Sequence, residues 1–242
     1  MAIQFARIEY VSRADGRNAI GKSSYNGRVR ETRERTGQVF NYAYKTDNVF
    51  HEIMVPEGVD TSFKTASVLW NAVERAEKRK DSQLQKDCVV ALPDDKEINL
   101  EDRIEISRRI ANRLFVFQGL AVQLDIHAPH GDEKNWHLHM LATTRGFTAN
   151  GKTLSPYKAR DTDPLIRRGQ VMEADSPGKI SAQIQNDYFK EKGLNLRVDP
   201  IGILPQEHLG PVRMRNHMEP SAKEILRVQE AEERGKEWYR AG

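Results

Sequence analysis

The chain is poor in cysteine: its 242 residues include only one, Cys88. A single thiol cannot form an internal disulfide, which excludes a disulfide-stapled secreted fold. No apolar run approaches the roughly 20 residues that a membrane-spanning helix needs, and the first residues show no signal-peptide core. These absences predict a cytoplasmic protein whose fold depends on an ordinary hydrophobic core.

An excess of charge of one sign is also missing. Lys and Arg number 38 against 35 Asp and Glu, so the formal net charge is only +3. This balance does not by itself demand a nucleic acid partner. The basic residues are nevertheless clustered, at Arg28–Arg35, Lys78–Lys80, Arg108–Arg113 and Arg167–Arg168. Each cluster alone is as typical of a solvated helix face as of a binding surface.

What the sequence does contain is a histidine-rich stretch with the alternation of β-strands. Apolar and polar side chains alternate over Leu120–His127 and Trp136–Thr144, which predicts two strands that each have one apolar face. Residues 128–135 between them include Pro, Gly, Asp and Asn, which are typical of turns. A hairpin folded there brings three histidines to one polar face, namely His127, His137 and His139.

Three converging imidazoles predict a metal site, because neutral imidazole is the commonest metal ligand of proteins. A His-x-His pair alone is only a modest signal, and a lone histidine is usually a solvated residue, as we expect for His130. The third histidine, however, is placed by an independent strand pattern, which favours the metal. By its chemistry alone the donor set suits transition metals.

The rest of the chain mixes strand and helix patterns. Further strands are predicted at Ala2–Ser12, Gln38–Lys45, Asn48–Val55 and Asp87–Leu92, the middle two forming a hairpin. Helices are predicted at Asn18–Arg35, Phe63–Leu84, Leu100–Gln118, Ile180–Lys192 and Glu219–Arg240, and residues 146–179 as a long mobile connection. We therefore predict an α+β two-layer sandwich. Helices cover one face of a mainly antiparallel five-stranded sheet, and the other face stays polar and carries the histidines.

Three segments resemble, in order, the MobA/MobL family of conjugative relaxases. They are Asn18–Tyr25, Arg79–Pro93 and the run from His127 through Asn-Trp-His-Leu-His to Arg145. The resemblance extends over residues 2–215, with further family-like segments at Leu194–Asp199 and Glu207–Pro211, and points to the N-terminal domain of the TraA-type relaxases of Ti-like plasmids. The chain departs from the family pattern at Trp136, where Pro is usual, and at Ser23-Ser24, and neither change removes a functional group.

The resemblance implies a strand transferase of the HUH type, with His137-Leu138-His139 as the H-U-H element. Tyr25 is the implied nucleophile, which attacks single-stranded DNA at a plasmid transfer origin and leaves a 5′-phosphotyrosine bond and a free 3′-hydroxyl. His127 completes the implied ligand set for Mg²⁺ or Mn²⁺. The implied partners besides the DNA are accessory relaxosome proteins and the coupling protein of a type IV secretion system.

Carboxylates and arginines supply further candidates. Asp87 is expected to take the tyrosine proton or to orient a histidine, with Asp125 competing for the orienting role and an edge salt bridge as the alternative for both. Glu74 and Glu77 are weaker candidates that we expect to be solvated. Arg145 is expected to pair with a phosphate or to form a surface ion pair. The remaining candidates for DNA binding are Arg28, Arg167 and Arg168.

This interpretation divides the chain into three parts. Residues 1–145 form the catalytic core, residues 146–215 a DNA-clamping extension with a mobile loop, and residues 216–242 a charged C-terminal helix or the start of a linker. Two alternatives stay open. A metal-dependent phosphodiesterase that activates water would keep its activity in Tyr25→Phe. A catalytically silent DNA-binding module would bind its origin without nicking it.

Overall fold

The computed structural model describes residues 6–94, 96, 98–129, 136–160 and 177–198, all within one compact unit. Nine strands occur in this part of the chain: β1 (Ala6–Ser12), β2 (Arg30–Arg33), β3 (Gln38–Asn41), β4 (Asn48–Met54), β5 (Gln83–Ala91), β6 (Val122–His127), β7 (His137–Thr143), β8 (Arg145–Phe147) and β9 (Leu154–Lys158). Its four α-helices are α1 (Ala19–Gly27), α2 (Ala66–Ala76), α3 (Leu100–Leu114) and α4 (Pro177–Glu191).

Five strands build the central sheet in the order β1-β5-β7-β6-β4, and every neighbouring pair is antiparallel. Hydrophobic side chains pack on both faces, because residues alternate along each strand. Leu124 and Met140 belong to the core under α3 and α4, whereas Leu141 packs with Trp70 of α2 on the other face. The predicted α+β class with a five-stranded antiparallel sheet is confirmed. The prediction placed helices on one face only. In the structure α2 also covers the second face, where its apolar side chains pack with Leu84, Ala121 and Leu141.

Helix α1 is shorter than predicted because the backbone turns sharply after it. The Asn18 side chain caps the first turn at 2.7 Å from the Gly21 amide, and Arg28 adopts the left-handed conformation (φ 55°, ψ 39°) that ends the helix. The chain then forms β2, which pairs with β3. The predicted hairpin between Gln38–Lys45 and Asn48–Val55 is therefore wrong, and β4 pairs with β6 instead.

Residues 145–158 form the β8–β9 hairpin, where the sequence predicted a mobile connection. Phe147 anchors this hairpin against Phe63, with ring centroids 5.1 Å apart, and Leu154 packs against the same core. With only these two apolar anchors, the hairpin lacks the alternation of apolar and polar residues from which strands are predicted. The predicted helix at Glu219–Arg240 lies outside the described residues. Within them, no helix is long and apolar enough to cross a membrane.

Glu74 and Glu77 are buried rather than solvated, which corrects the sequence-based expectation. The Glu74 carboxylate accepts hydrogen bonds from Arg13 at 2.9 Å, from Arg33 at 2.8 Å and from the Ala19 amide at 2.9 Å. Burial raises the pKa of Glu74, but the bonds from Arg33, Ala19 and Arg13 outweigh it and leave the pKa below its usual value. One carboxylate of α2 thus fixes the first residue of α1, the helix that carries the family motif.

Replacing Glu74 by glutamine is expected to lower the free energy of unfolding by about 3 kcal/mol at neutral pH, because two partly buried arginines lose their counter-charge. Since the pKa is lowered in the folded state, this stabilisation is present above the unfolded value of about 4.3 and is lost as the pH falls through the folded value. Urea unfolding at several pH values should therefore show the two proteins converging below about pH 4.

The matched control for this prediction is Glu34→Gln. Glu34 pairs with Arg75 at 2.5 Å, but both side chains are 61% exposed, so the loss should stay below about 1 kcal/mol. Equal losses in the two variants, or a Glu74→Gln loss that does not depend on pH, would contradict the burial argument.

Candidate metal centre and nucleophile

Three histidines meet on two neighbouring strands of the sheet. The register of β6 and β7 sets His127 directly opposite His137, and His139 lies two residues further along the same face. The ring centroids are 4.5 Å to 5.3 Å apart. One nitrogen from each ring can be chosen so that all lie within 4.8 Å of one another. The predicted cluster is confirmed as a group that could hold a metal ion.

The hydrogen bonds of His127 decide which of its nitrogens can bind a metal. Its Nε2 lies 2.7 Å from the carbonyl oxygen of Asn26, which can only accept, so Nε2 carries the proton. The lone pair is then on Nδ1, which lies 3.3 Å from Nη2 of Arg28 and 3.7 Å from a carboxylate oxygen of Asp47. Burial lowers the pKa of His127, which keeps the ring neutral and able to act as a ligand.

His139 shows most directly that the residues fit a metal. Burial, followed by the neighbouring His127 and His137, lowers the pKa of His139 to about 2, so this imidazole is neutral at every physiological pH. Its Nδ1 is inaccessible to solvent and has no hydrogen-bond partner among the described residues. An unpartnered buried nitrogen is costly in a native structure, and a metal ion would give it a partner.

Tyr25 lies near the C-terminal end of α1, a helix that contacts the histidine cluster. The link is short: the carbonyl that accepts from His127 belongs to Asn26, the next residue in the chain. The helix is held down by Ser23, whose hydroxyl donates to Gln123 at 2.7 Å. Tyr25 is 38% exposed, so a substrate can reach it. A guanidinium carbon of Arg28 and the ammonium of Lys45 lie 4.5 Å and 4.9 Å from its ring centroid.

Arg28, predicted to bind DNA, is engaged within the site. Its guanidinium donates two hydrogen bonds of 2.7 Å to Asp47 and a third to the carbonyl of Tyr25. The hydrogen bond from Arg28 holds the pKa of Asp47 far below its usual range. Because Arg28 also contacts the ring of Tyr25 and Nδ1 of His127, it joins the nucleophile candidate to the metal-ligand candidate. Sequence reasoning missed Asp47, which lies in a loop without a recognisable motif.

The two candidate acids occupy different surroundings on the histidine face. Asp125 is buried and accepts hydrogen bonds from Asn48, His51 and Gln123. Asp87 of β5 pairs with Leu141 of β7, which lies two residues after His139 on the same face of the sheet. Its carboxylate lies 2.8 Å from Nζ of Lys22 on α1 and 3.6 Å from Arg17. These contacts anchor α1 to β5, so the described geometry ties Asp87 to the helix that carries Tyr25.

The other predicted arginines lie elsewhere. Arg145 follows the opposite end of β7 from the histidines. Its Nε donates to Glu77 at 2.6 Å and its Nη1 to the carbonyl of Pro156, so the guanidinium joins the β8–β9 hairpin to the residue that follows α2. Arg167 and Arg168 lie outside the described residues. Lys22 is a basic residue of the site that sequence reasoning did not single out, although it belongs to the family-like segment before Tyr25.

The antiparallel sheet, the histidine triad and the adjacent helix-borne tyrosine together define a relaxase-type domain. Residues 17–219 match the MobA/MobL family, and the chain belongs to that family. A solved structure described as "Molecular Basis of Vancomycin Resistance Transfer in Staphylococcus aureus" is similar with a TM-score of 0.71 and 28% identity, over 82% of this chain and 98% of that chain.

Curated relatives are named as conjugal transfer and mobilization proteins. The chain is 30% identical to the conjugal transfer protein TraA of Agrobacterium fabrum strain C58 over 74% of this chain and 16% of TraA. It is 28% identical to the mobilization protein MobL of Acidithiobacillus ferridurans over 87% of this chain and 62% of MobL. A probable TraA of Sinorhizobium fredii is 27% identical over 87% of this chain and 21% of that protein. The chain therefore spans less than two thirds of the length of these relatives.

Proposed function

We propose that this chain nicks one DNA strand at a plasmid origin of transfer through a transesterification by Tyr25. The observation that carries the proposal is the 2.7 Å contact between His127 and the carbonyl of Asn26. This contact brings the accessible tyrosine of α1 beside the only cluster of potential metal ligands among the described residues. The proposal requires that a phosphate bound at the histidines lies within reach of the phenol oxygen of Tyr25.

The chemistry of the proposed step balances without a further reactant. The phenol oxygen of Tyr25 forms a bond to phosphorus, and the bond from phosphorus to the 3′-oxygen breaks. The products are a 5′-phosphotyrosine bond and a strand with a free 3′-hydroxyl, so the phenolic proton is balanced by the proton that the 3′-oxygen gains. Because one phosphodiester replaces another, the reverse reaction can rejoin the strand after transfer.

His127, His137 and His139 would hold a divalent cation, Mg²⁺ or Mn²⁺ in this proposal. When bound, such an ion polarises the phosphate and stabilises the charge that develops on its oxygens. The protein's own part is to keep His127 and His139 neutral by burial and to orient His127 through the carbonyl of Asn26. Lys45 places positive charge beside the Tyr25 ring, where the DNA backbone passes in this proposal.

The acids and arginines take roles that follow their contacts. The ion pairs of Asp87 with Lys22 and Arg17 favour the positioning of α1 over direct proton transfer. Arg28 is proposed to fix the Tyr25 ring and to contact the strand at the same time. Binding of accessory relaxosome proteins and of a type IV coupling protein belongs to the same proposal, as does DNA binding by Arg145, Arg167 and Arg168.

The test is denaturing electrophoresis after mixing the protein with labelled single strands that cover candidate transfer origins. We expect an adduct that survives denaturation, forms with Mn²⁺ and is absent with chelator. Cleavage without an adduct would refute the transesterification and favour the water-activating phosphodiesterase. Strong binding to a strand that remains intact with Mn²⁺ would also refute it and favour the silent binding module.

A further inference from the structure

Three tyrosine rings form a continuous series that starts at the proposed nucleophile. Tyr42 stands nearly perpendicular to Tyr25, with ring centroids 5.2 Å apart, and Tyr44 lies 6.5 Å further on at an angle of 40°. Tyr44 is 73% exposed. A single exposed ring is common on protein surfaces and needs no explanation. A series of rings that leads away from the reacting group and includes such an exposed ring is different, because it offers flat apolar surfaces beside the site.

The series is held in place relative to the site by the backbone. The amide of Tyr42 donates to the carbonyl of Val29, and the amide of Lys45 donates to the carbonyl of Tyr42, which closes a turn around Tyr44. Two residues after Lys45, Asp47 is bound to Arg28 and its carbonyl accepts from the amide of Ala128. The backbone of the turn is therefore tied both to Arg28 at the end of α1 and to the loop that follows β6.

Positive charge accompanies these rings. The ammonium of Lys45 lies 4.9 Å from the centroid of the Tyr25 ring. The guanidinium carbon of Arg28 lies 4.5 Å from the same centroid, but its charge is already paired with Asp47. Aromatic faces beside cations are what an unpaired nucleic acid strand needs, because its bases can stack while its phosphates meet the cations. Bases in a duplex are already stacked on each other and cannot use the rings in this way.

We propose that Tyr42 and Tyr44 form a stacking platform for the bases of the nucleotides that flank the scissile phosphate, with Lys45 contacting their backbone. The inference rests on the proposed function, since it places the flanking nucleotides of the strand that Tyr25 attacks. Stacking is tolerant of sequence, because every base has an aromatic face. The platform therefore supplies affinity for single strands as such and leaves the choice of the origin to other contacts.

The test compares two fluorescent probes by anisotropy, with chelator present so that only binding is measured. One probe is an oligothymidylate of about 16 nucleotides, which spans a typical single-strand site, and the other is an abasic strand of the same length. Tyr44→Ala should weaken binding of the oligothymidylate about tenfold and leave the abasic strand unaffected. Tyr44→Trp should restore the binding, because it retains an aromatic ring. Phe117→Ala is the matched control, since Phe117 is 78% exposed and lies beyond the C-terminal end of α3.

Each outcome decides the question. The expected pattern, with loss only in Tyr44→Ala and only on the probe that has bases, supports the platform. Equal losses on both probes, no loss at all, or an equal loss in Phe117→Ala would overturn it while strand binding by the unmodified chain still stands. If the unmodified chain binds neither probe, the proposed function fails, and the platform fails with it. Because Tyr44 is exposed, unchanged thermal unfolding of its variants is expected and confirms that they are folded.

Discussion

Replacing Tyr25 by phenylalanine is expected to abolish the covalent protein–DNA adduct while binding of single strands and of Mn²⁺ survives. The change removes only the phenol oxygen, which is the atom that must bond to phosphorus. The ring itself remains, so its contacts with Arg28, Lys45 and Tyr42 are kept. The adduct should fall below detection on a denaturing gel, and the affinity for a labelled strand should change by less than about threefold, which is under 1 kcal/mol.

The matched control is Tyr42→Phe, because the Tyr42 ring lies 5.2 Å from that of Tyr25 and the change keeps the ring that the proposed platform uses. This variant should form the adduct as the unmodified chain does. An adduct that persists in Tyr25→Phe would assign the nucleophile to another tyrosine. Cleavage that persists without any adduct would show that water is the nucleophile, as the phosphodiesterase alternative requires.

The histidine cluster could be predicted from sequence because its geometry follows from strand pairing alone. Alternation fixes which side chains share a face, and a turn-rich loop between two strands makes an antiparallel hairpin the natural connection. The pairing of His127 with His137 in the structure is what such a hairpin produces. The hydrophobic core under α3 and α4 is also visible in the sequence, because Val122, Leu124 and Ile126 of β6 alternate with polar residues.

Contacts between elements distant in the chain could not be predicted in the same way. In the sequence Arg28 is one basic residue of a cluster. The neighbouring residues do not reveal that its left-handed backbone conformation brings its side chain to Asp47. Glu74 and Glu77 have the spacing of a solvated helix face, but arginines from other elements surround them. Ion pairs of this kind depend on the final packing, so charge in a sequence gives no sign of burial.

The placement of α1 shows how the fold prepares the site. Glu74 accepts from its first amide, Asp87 binds its Lys22, and His127 contacts the carbonyl of Asn26 near its end. These three contacts come from α2, β5 and β6, so the helix is held along its length by separate elements. These contacts fix the backbone of the helix that carries Tyr25, which suits the proposed reaction because it requires alignment.

Replacing His139 by alanine is expected to weaken Mn²⁺ binding by more than a hundredfold, measured by titration calorimetry on the DNA-free protein. Loss of a residue that only supports a ligand costs about 10- to 100-fold, and loss of a ligand should cost more. The free energy of unfolding without metal should change by less than about 1 kcal/mol, because no hydrogen bond to the buried Nδ1 is lost among the described residues.

The control for this variant is His51→Ala. His51 belongs to the neighbouring strand β4 and bonds to Asp125 at 2.7 Å, but it lies outside the histidine cluster. Mn²⁺ binding should therefore fall by no more than the 10- to 100-fold typical of a supporting residue. Unchanged Mn²⁺ affinity in His139→Ala would refute the metal centre. A loss of equal size in both variants would show that the sheet face as a whole, rather than the three imidazoles, determines the affinity for the ion.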